Sequence, residues 1–216
     1  DMGGGHVIEL KNISFRHENA DVPSLKNISL TIADGECVLL CGESGSGKTT
    51  LLRHLKTVLS PHGSRTGTVR LDGTPLESIG LRQQSEQIGF VMQNPDDQIV
   101  TDKVWHELAF GLENLGMEQS LMRLRVAEMA SFFGIQDWFH REISQLSGGQ
   151  KQLVNLAAIM AMQPEILILD EPTSQLDPIA AADFLNTLKK INRELGTTIL
   201  ITEHRTEDIF PAADRV

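Results

Sequence analysis

The stretch Gly42–Thr50, GESGSGKTT, constrains the fold more than any other part of this 216-residue sequence. It matches the pattern GxxxxGK[ST], in which glycines let the backbone close around phosphate oxygens, a lysine reaches the β- and γ-phosphates and a hydroxyl faces Mg²⁺. An apolar run at 37–41 precedes it and leucines at helical spacing follow it, which is the strand and helix context that the pattern requires. We therefore predict a phosphate-binding loop. Its predicted binding residues are Gly42, Glu43, Ser44, Gly45, Ser46, Gly47, Lys48, Thr49 and Thr50.

The composition limits the classes of function. The formal net charge of −10 and the pI near 5.1 argue against a broad nucleic-acid-binding face, since phosphate contacts need clustered Lys and Arg. No apolar run approaches the roughly 20 residues of a membrane-spanning helix. The N-terminus has no basic-then-apolar signal pattern, and we expect residues 1–6 to be a leader left from cloning. We expect a cytoplasmic chain that meets a membrane only through a partner.

Apolar periodicity predicts alternating strands and helices. Strands are predicted at 7–15, 28–32, 36–40, 66–71, 87–92, 166–169 and 197–202, and helices from Lys48 to near Ser60 and at 101–115, 120–133, 151–162 and 179–195. Cys37 and Cys41 would lie about 13 Å apart on one strand, beyond the ~7 Å limit for a disulfide, so we interpret them as small strand residues. The pattern predicts an α/β fold, a P-loop NTPase core with a mainly parallel sheet, an N-terminal antiparallel β piece and an inserted helical lobe at about 100–163.

Candidate catalytic residues follow the predicted strands, where open α/β sheets bind their ligands. Asp170 closes the apolar strand at 166–169 and is suited to hold Mg²⁺ opposite Thr49. Glu171 can accept a proton from the attacking water or orient it. Gln93 can ligate the metal and touch the water, and His204 can hydrogen-bond the γ-phosphate. These positions predict phosphoryl transfer to water.

A second glycine-rich segment, LSGGQ at 146–150, opens the predicted helix that follows it. Ser147 is a candidate N-cap, and Gly148 and Gly149 leave the backbone N–H groups of the first turn uncovered.

Taken together, these motifs resemble those of the ATP-binding-cassette ATPases, and the resemblance runs from about residue 7 to the end in the family's order. It implies one ABC ATPase domain over 7–216, with a RecA-like core, that binds ATP and Mg²⁺. It also implies a head-to-tail homo- or heterodimer. In that dimer Ser147, Gly148, Gly149 and Gln150 of one subunit grip the γ-phosphate held by the other.

Four further segments, QNPDDQ at 93–98, AFGLENLG at 109–116, TSQLDP at 173–178 and TEHR at 202–205, resemble the energy-coupling-factor or cobalt-type importer ATPases. This narrower resemblance implies a subunit on the cytoplasmic face of the cell membrane. It would bind an integral membrane transporter component and energise uptake of a vitamin or metal ion. No nucleic acid is expected as a partner.

One position departs from the family pattern. Where the family usually places an aromatic residue to stack on adenine, this chain has His17, and it contains no Tyr. Two alternatives stay open: a soluble ABC ATPase acting on nucleic acid or the ribosome, and one cassette of a tandem ATPase. Lys48 and Ser147 are only 99 residues apart, which disfavours the coiled-coil insertion of repair members. The end at Val216 suggests that the natural protein continues.

Overall fold

The computed structural model describes residues 6–42 and 46–204. The strands are β1 (His6–His17), β2 (Leu25–Ala33), β3 (Cys37–Cys41), β4 (Gly63–Leu71), β5 (Thr74–Pro75), β6 (Ile88–Val91), β7 (Ile166–Asp170) and β8 (Thr198–Glu203). The helices are α1 (Lys48–Arg53), α2 (Leu81–Gln87), α3 (Val104–Asn114), α4 (Gln119–Phe133), α5 (Gly148–Ala161) and α6 (Pro178–Leu195). Short 3-10 turns occupy Thr57–Leu59, Leu76–Ser78, Pro95–Asp97, Gln136–Trp138 and Ile143–Gln145.

The described residues contain two four-stranded sheets. One is antiparallel in the order β2-β1-β4-β5, and the other is parallel in the order β3-β8-β7-β6. This confirms the predicted α/β fold with its parallel core, N-terminal antiparallel piece and helical lobe. In the parallel sheet Cys41 pairs with Glu203, and Asp170 pairs with Thr202. The carboxyl ends of β3, β7 and β8 therefore meet at one edge.

The central strand β7 is buried along its whole length because a separate core covers each face. Leu167 and Leu169 pack in the core that contains α3, α4, α5 and α6. Ile166 and Ile168 belong to the core between the parallel sheet, the antiparallel sheet and α1. A strand covered on both faces needs apolar residues at every position, which explains the uninterrupted run ILIL.

The helix after the phosphate loop is shorter than predicted. It ends at Arg53 rather than near Ser60, because tertiary hydrogen bonds draw the following residues away from the helix axis. Lys56 is extended and its ammonium donates to the Ile88 carbonyl at 3.3 Å. The Thr57 amide donates to the Gln84 side chain at 2.9 Å. Distant partners therefore set this boundary.

Two other boundaries also differ from the sequence prediction. Helix α2 was not predicted, because Gln84 is its only buried residue and its sequence shows no helical spacing of apolar residues. The helix includes Gln87, so the strand expected at 87–92 begins one residue later, at Ile88. Helix α3 begins at Val104 rather than 101, because the Val100 and Thr101 amides donate to the buried Glu107 carboxylate instead of entering the helix.

Cys37 and Cys41 are not joined by a disulfide, and Cys37 is buried whereas Cys41 is exposed, as expected for two residues of one strand. Across 6–42 and 46–204, no helix has both the length and the apolar character needed to span a bilayer.

Candidate active site

The phosphate loop begins at Gly42, directly after β3, and runs into α1. Gly47 has φ of +93°, and a Cβ atom there would lie 2.8 Å from the Ser24 carbonyl oxygen. This position therefore requires glycine for both conformation and space. The candidate residues Glu43, Ser44 and Gly45 lie outside the described residues.

Lys48 points back across the loop. Its ammonium donates to the Gly42 carbonyl and lies 3.6 Å from Glu171 Oε1, with only 9% of the side chain exposed. The lysine of a GxxxxGK[ST] sequence is the cation expected to receive phosphate oxygens.

The Asp170 carboxylate is held by hydroxyls from two other elements. Thr49 Oγ1 and Thr202 Oγ1 each donate to Asp170 Oδ1 at 3.1 Å. Carboxylate and hydroxyl oxygens are the ligand types that Mg²⁺ accepts, usually one or two from protein alongside substrate phosphates. The described residues contain no cluster of three His, Cys, Asp or Glu side chains that could hold a metal by itself. Asp170 and Thr49 supply neighbouring oxygen ligands, which fits an Mg²⁺ ion that arrives with a nucleotide.

Glu171 sits in a backbone conformation that few non-glycine residues adopt, with φ of +44°. Its amide donates to the carbonyl and to the hydroxyl of Thr202, at 3.1 and 3.0 Å, and these bonds hold the turn. Its Oε1 atom lies 2.8 Å from His204 Nε2 and 3.6 Å from Lys48 Nζ. Residues that their surroundings hold in an unfavourable backbone conformation are typical of active sites.

The predicted catalytic residues share one open cavity of about 480 Å³. It is lined by Pro23, Ser24, Gly47, Lys48, Thr49, Thr50, Gln93, Glu171, Ser174 and His204. Gln93, predicted from its place after β6, thus faces the same space as Glu171 and His204. Pro23 and Ser24 were not predicted, since their loop has no motif. Thr202 was missed because it continues an apolar strand pattern.

His17 does not line this cavity. It is half-buried at the end of β1, and its ring meets the Phe15 ring edge-on with centroids 4.8 Å apart. The Phe15 ring also packs edge-on against His54 at 4.7 Å. Burial, followed by the charges of Arg65 and His17, lowers the pKa of His54 from 6.5 to about 4.

The LSGGQ segment does not line the cavity of Lys48 and Glu171. Gln150 N donates to Ser147 Oγ at 3.2 Å and Ser147 N donates to Gln150 Oε1 at 2.9 Å, so the predicted N-cap is part of a capping box. Gly149 is needed for packing as well, because a Cβ there would lie 2.8 Å from Ala180 Cβ on α6. Ser147, Gly149 and Gln150 line a second cavity of about 400 Å³ beside α6.

Comparison with known protein families gives one decisive match. The family described as ABC transporter covers residues 25–174, more than two thirds of the chain, and includes the phosphate loop, the LSGGQ segment and Glu171. This chain belongs to the ABC transporter family.

The ABC relatives are longer than this chain. A Bacillus anthracis protein, provisionally named an ABC transporter ATP-binding protein, is 52% identical over 208 residues, which cover 96% of this chain and 38% of that protein. A similarly named Methanosarcina acetivorans protein is 38% identical over 216 residues, which cover 100% of this chain and 65% of that protein. The chain thus spans about two fifths of the length of the Bacillus relative.

Among solved structures, this chain is similar to CbiO1 from Clostridium perfringens, which is described as part of the ABC transporter complex CbiONQ. The TM-score is 0.88 at 30% identity, and the match covers 97% of this chain and 83% of the other.

Proposed function

We propose that this chain is the ATP-binding and ATP-hydrolysing part of an importer of the energy-coupling-factor type, which takes up a vitamin or metal ion through a membrane component. The observation that carries the hydrolytic part is the group of contacts at one sheet edge. There Glu171 lies beside both Lys48 and His204, and Asp170 is held by Thr49 and Thr202.

Nucleotide binding begins with Lys48. In the described structure its ammonium is shared between the Gly42 carbonyl and the Glu171 carboxylate. A triphosphate offers it more negative charge than either, so we infer that Lys48 turns to the β- and γ-phosphates. Thr49 and Asp170 would hold Mg²⁺, with Gln93 as a further ligand, and the ion would neutralise charge that develops on the phosphate oxygens.

Glu171 then acts as general base. Water attacks the γ-phosphorus, the bond to the ADP oxygen breaks, and the proton of the water passes to Glu171. We infer that His204, whose Nε2 lies 2.8 Å from that carboxylate, hydrogen-bonds a γ-phosphate oxygen, and that Gln93, which lines the same cavity, orients the water. The chemistry relies on position and charge rather than on a covalent intermediate.

A single subunit supplies only one side of this site. Ser147, Gly148, Gly149 and Gln150 lie at a separate helix start and do not line the cavity of Lys48 and Glu171. We infer that a second cassette docks head-to-tail and places its LSGGQ segment over the γ-phosphate. The Ser147 hydroxyl already accepts from Gln150 N, and its own proton is free to be donated. His17, which lies outside the cavity of Lys48 and Glu171, is proposed to contact adenine.

We infer the membrane partner and the location from the similar structure. The similar Clostridium protein is part of a transporter complex, which supports a peripheral position on the cytoplasmic face of a membrane. The net charge of −10 gives no support to a nucleic-acid partner.

The proposal is tested with the full-length protein. Purification from membranes is expected to bring an integral membrane protein with it, and the preparation is expected to release phosphate from ATP. Lys48→Ala should lose ATP affinity because it removes the phosphate-binding cation. An unchanged ATP dissociation constant would contradict the phosphate-loop assignment, and purification without a membrane protein would contradict the importer assignment.

A further inference from the structure

Three side-chain amides form a network beneath the active site. Gln152 and Asn155 project from α5 and are 0% and 2% exposed, and the half-buried Gln98 follows the turn after β6. A buried amide is costly unless its hydrogen bonds are made, so each one needs a reason.

Gln152 joins the two loops that carry the proposed reaction. Its Nε2 donates to the Met92 carbonyl at 3.2 Å and to the Pro172 carbonyl at 3.0 Å. Met92 directly precedes Gln93, and Pro172 directly follows Glu171. One amide nitrogen therefore fixes the backbone next to both the proposed metal and water ligand and the proposed base.

The remaining bonds set the orientation of that amide. The Met92 N–H can only donate, so it selects the oxygen of Gln98, which accepts it at 3.0 Å. Asn155 Nδ2 donates to the same Gln98 oxygen at 2.8 Å and to Gln152 Oε1 at 3.3 Å. With its oxygen occupied by Asn155, Gln152 must turn its nitrogen toward the two carbonyls. The Met92 N–H thus determines the orientation of all three side-chain amides.

We propose that Gln152 is a positioning residue for ATP hydrolysis, which holds the Gln93 and Glu171 loops at a fixed separation. Because α5 begins at the LSGGQ segment, the same side chain ties both loops to the helix that would meet the second cassette. This inference rests on the proposed function. Its physical basis is that catalysis depends on placing water and base to within a fraction of an ångström.

The decisive experiment compares two buried glutamines in the full-length protein. Gln152→Met keeps the side-chain length and removes both donated bonds. Gln84→Met is the matched control, because Gln84 is equally buried and makes four hydrogen bonds, all to Thr57, Leu76 and Ile79 outside the cavity. Both variants should lower the melting temperature.

Only Gln152→Met should slow turnover, by at least about tenfold, because the Gln93 and Glu171 loops lose their fixed separation. Its ATP dissociation constant should stay within about twofold of that of the parent protein, because the phosphate loop is unchanged. Turnover of Gln152→Met equal to that of Gln84→Met would overturn the proposal.

Asn155→Ala provides a second route should Gln152→Met fail to fold. It leaves both donors of Gln152 in place and frees its oxygen, so turnover should fall by about fivefold, the size of one neutral hydrogen bond. Unchanged turnover in Asn155→Ala would refute the orienting role.

Phosphate release by the parent protein and by Glu171→Gln distinguishes a failure of the proposed function from a failure of the positioning role of Gln152. If the parent protein releases no phosphate from ATP, the proposed function fails, and if Glu171→Gln retains the parent's turnover, the role of Glu171 as base fails. If Glu171→Gln abolishes turnover while the Gln152 and Asn155 variants behave like the Gln84 control, the positioning role alone fails.

Discussion

His54 is expected to make the stability of this domain sensitive to mild acid. The side chain follows α1 and is 1% exposed, and neither ring nitrogen has a hydrogen-bond partner among the described residues. It packs against the edge of Phe15. Burial is the main cause that lowers the pKa to about 4, and the charges of Arg65 and His17 act in the same direction.

The direction and size of the change in the free energy of unfolding follow from the difference in His54 protonation between the folded and unfolded states. The folded state keeps His54 neutral down to about pH 4, whereas the unfolded state takes up its proton near the usual pKa of 6.5. Between these two pH values the unfolded state binds more protons, so stability falls as pH falls. From pH 7.5 to pH 5 the loss is about 2 kcal/mol, or about 4–8 °C in melting temperature.

The assay is urea unfolding of the parent protein and of His54→Phe at both pH values. The larger ring has a packing cost, but that cost does not depend on pH. The difference between pH 7.5 and pH 5 should therefore be about 2 kcal/mol smaller in His54→Phe than in the parent protein. His62→Asn, at an exposed histidine, is the control and should keep the parent's pH dependence. If His54→Phe loses as much stability in acid as the parent protein, the reasoning is refuted.

Two further predictions concern the phosphate loop and the second cassette. Gly47→Ala should abolish ATP binding and lower stability by about 1 kcal/mol or more, since φ is +93° and the new Cβ would meet the Ser24 carbonyl; normal ATP binding in a calorimetric titration would contradict this. Turnover per chain should fall on dilution below the dissociation constant of the cassette pair, because each site needs two cassettes; a flat dilution series would contradict the composite site.

The parts of the fold that could be predicted are those set by local pattern. The buried run at 166–169 and the Gly196 stop after α6 follow from apolar continuity and from a left-handed C-cap, here with φ of +70°. The end of α1 could not be predicted, because the Gln84 side chain that captures Thr57 is 27 residues away.

The residues of the candidate active site also differ in how far the sequence predicts them. Lys48 and Glu171 could be predicted because each lies in a motif that fixes its place relative to a strand end. Gln152 could not be predicted, since the sequence shows only a polar residue in an apolar helix. Its partners are backbone carbonyls 60 and 20 residues away, which leave no trace in side-chain pattern.

The central claim is that Glu171 is the base of a site completed by a second cassette. Glu171→Gln keeps the shape of the side chain and removes its ability to take a proton, so turnover should fall by about 10²–10⁴-fold. Light scattering and phosphate release, measured together on this variant with MgATP, test the claim directly. We predict intact ATP binding, loss of phosphate release, and an ATP-bound assembly of two cassettes that persists. Rapid phosphate release by Glu171→Gln, or ATP binding without association, would contradict it.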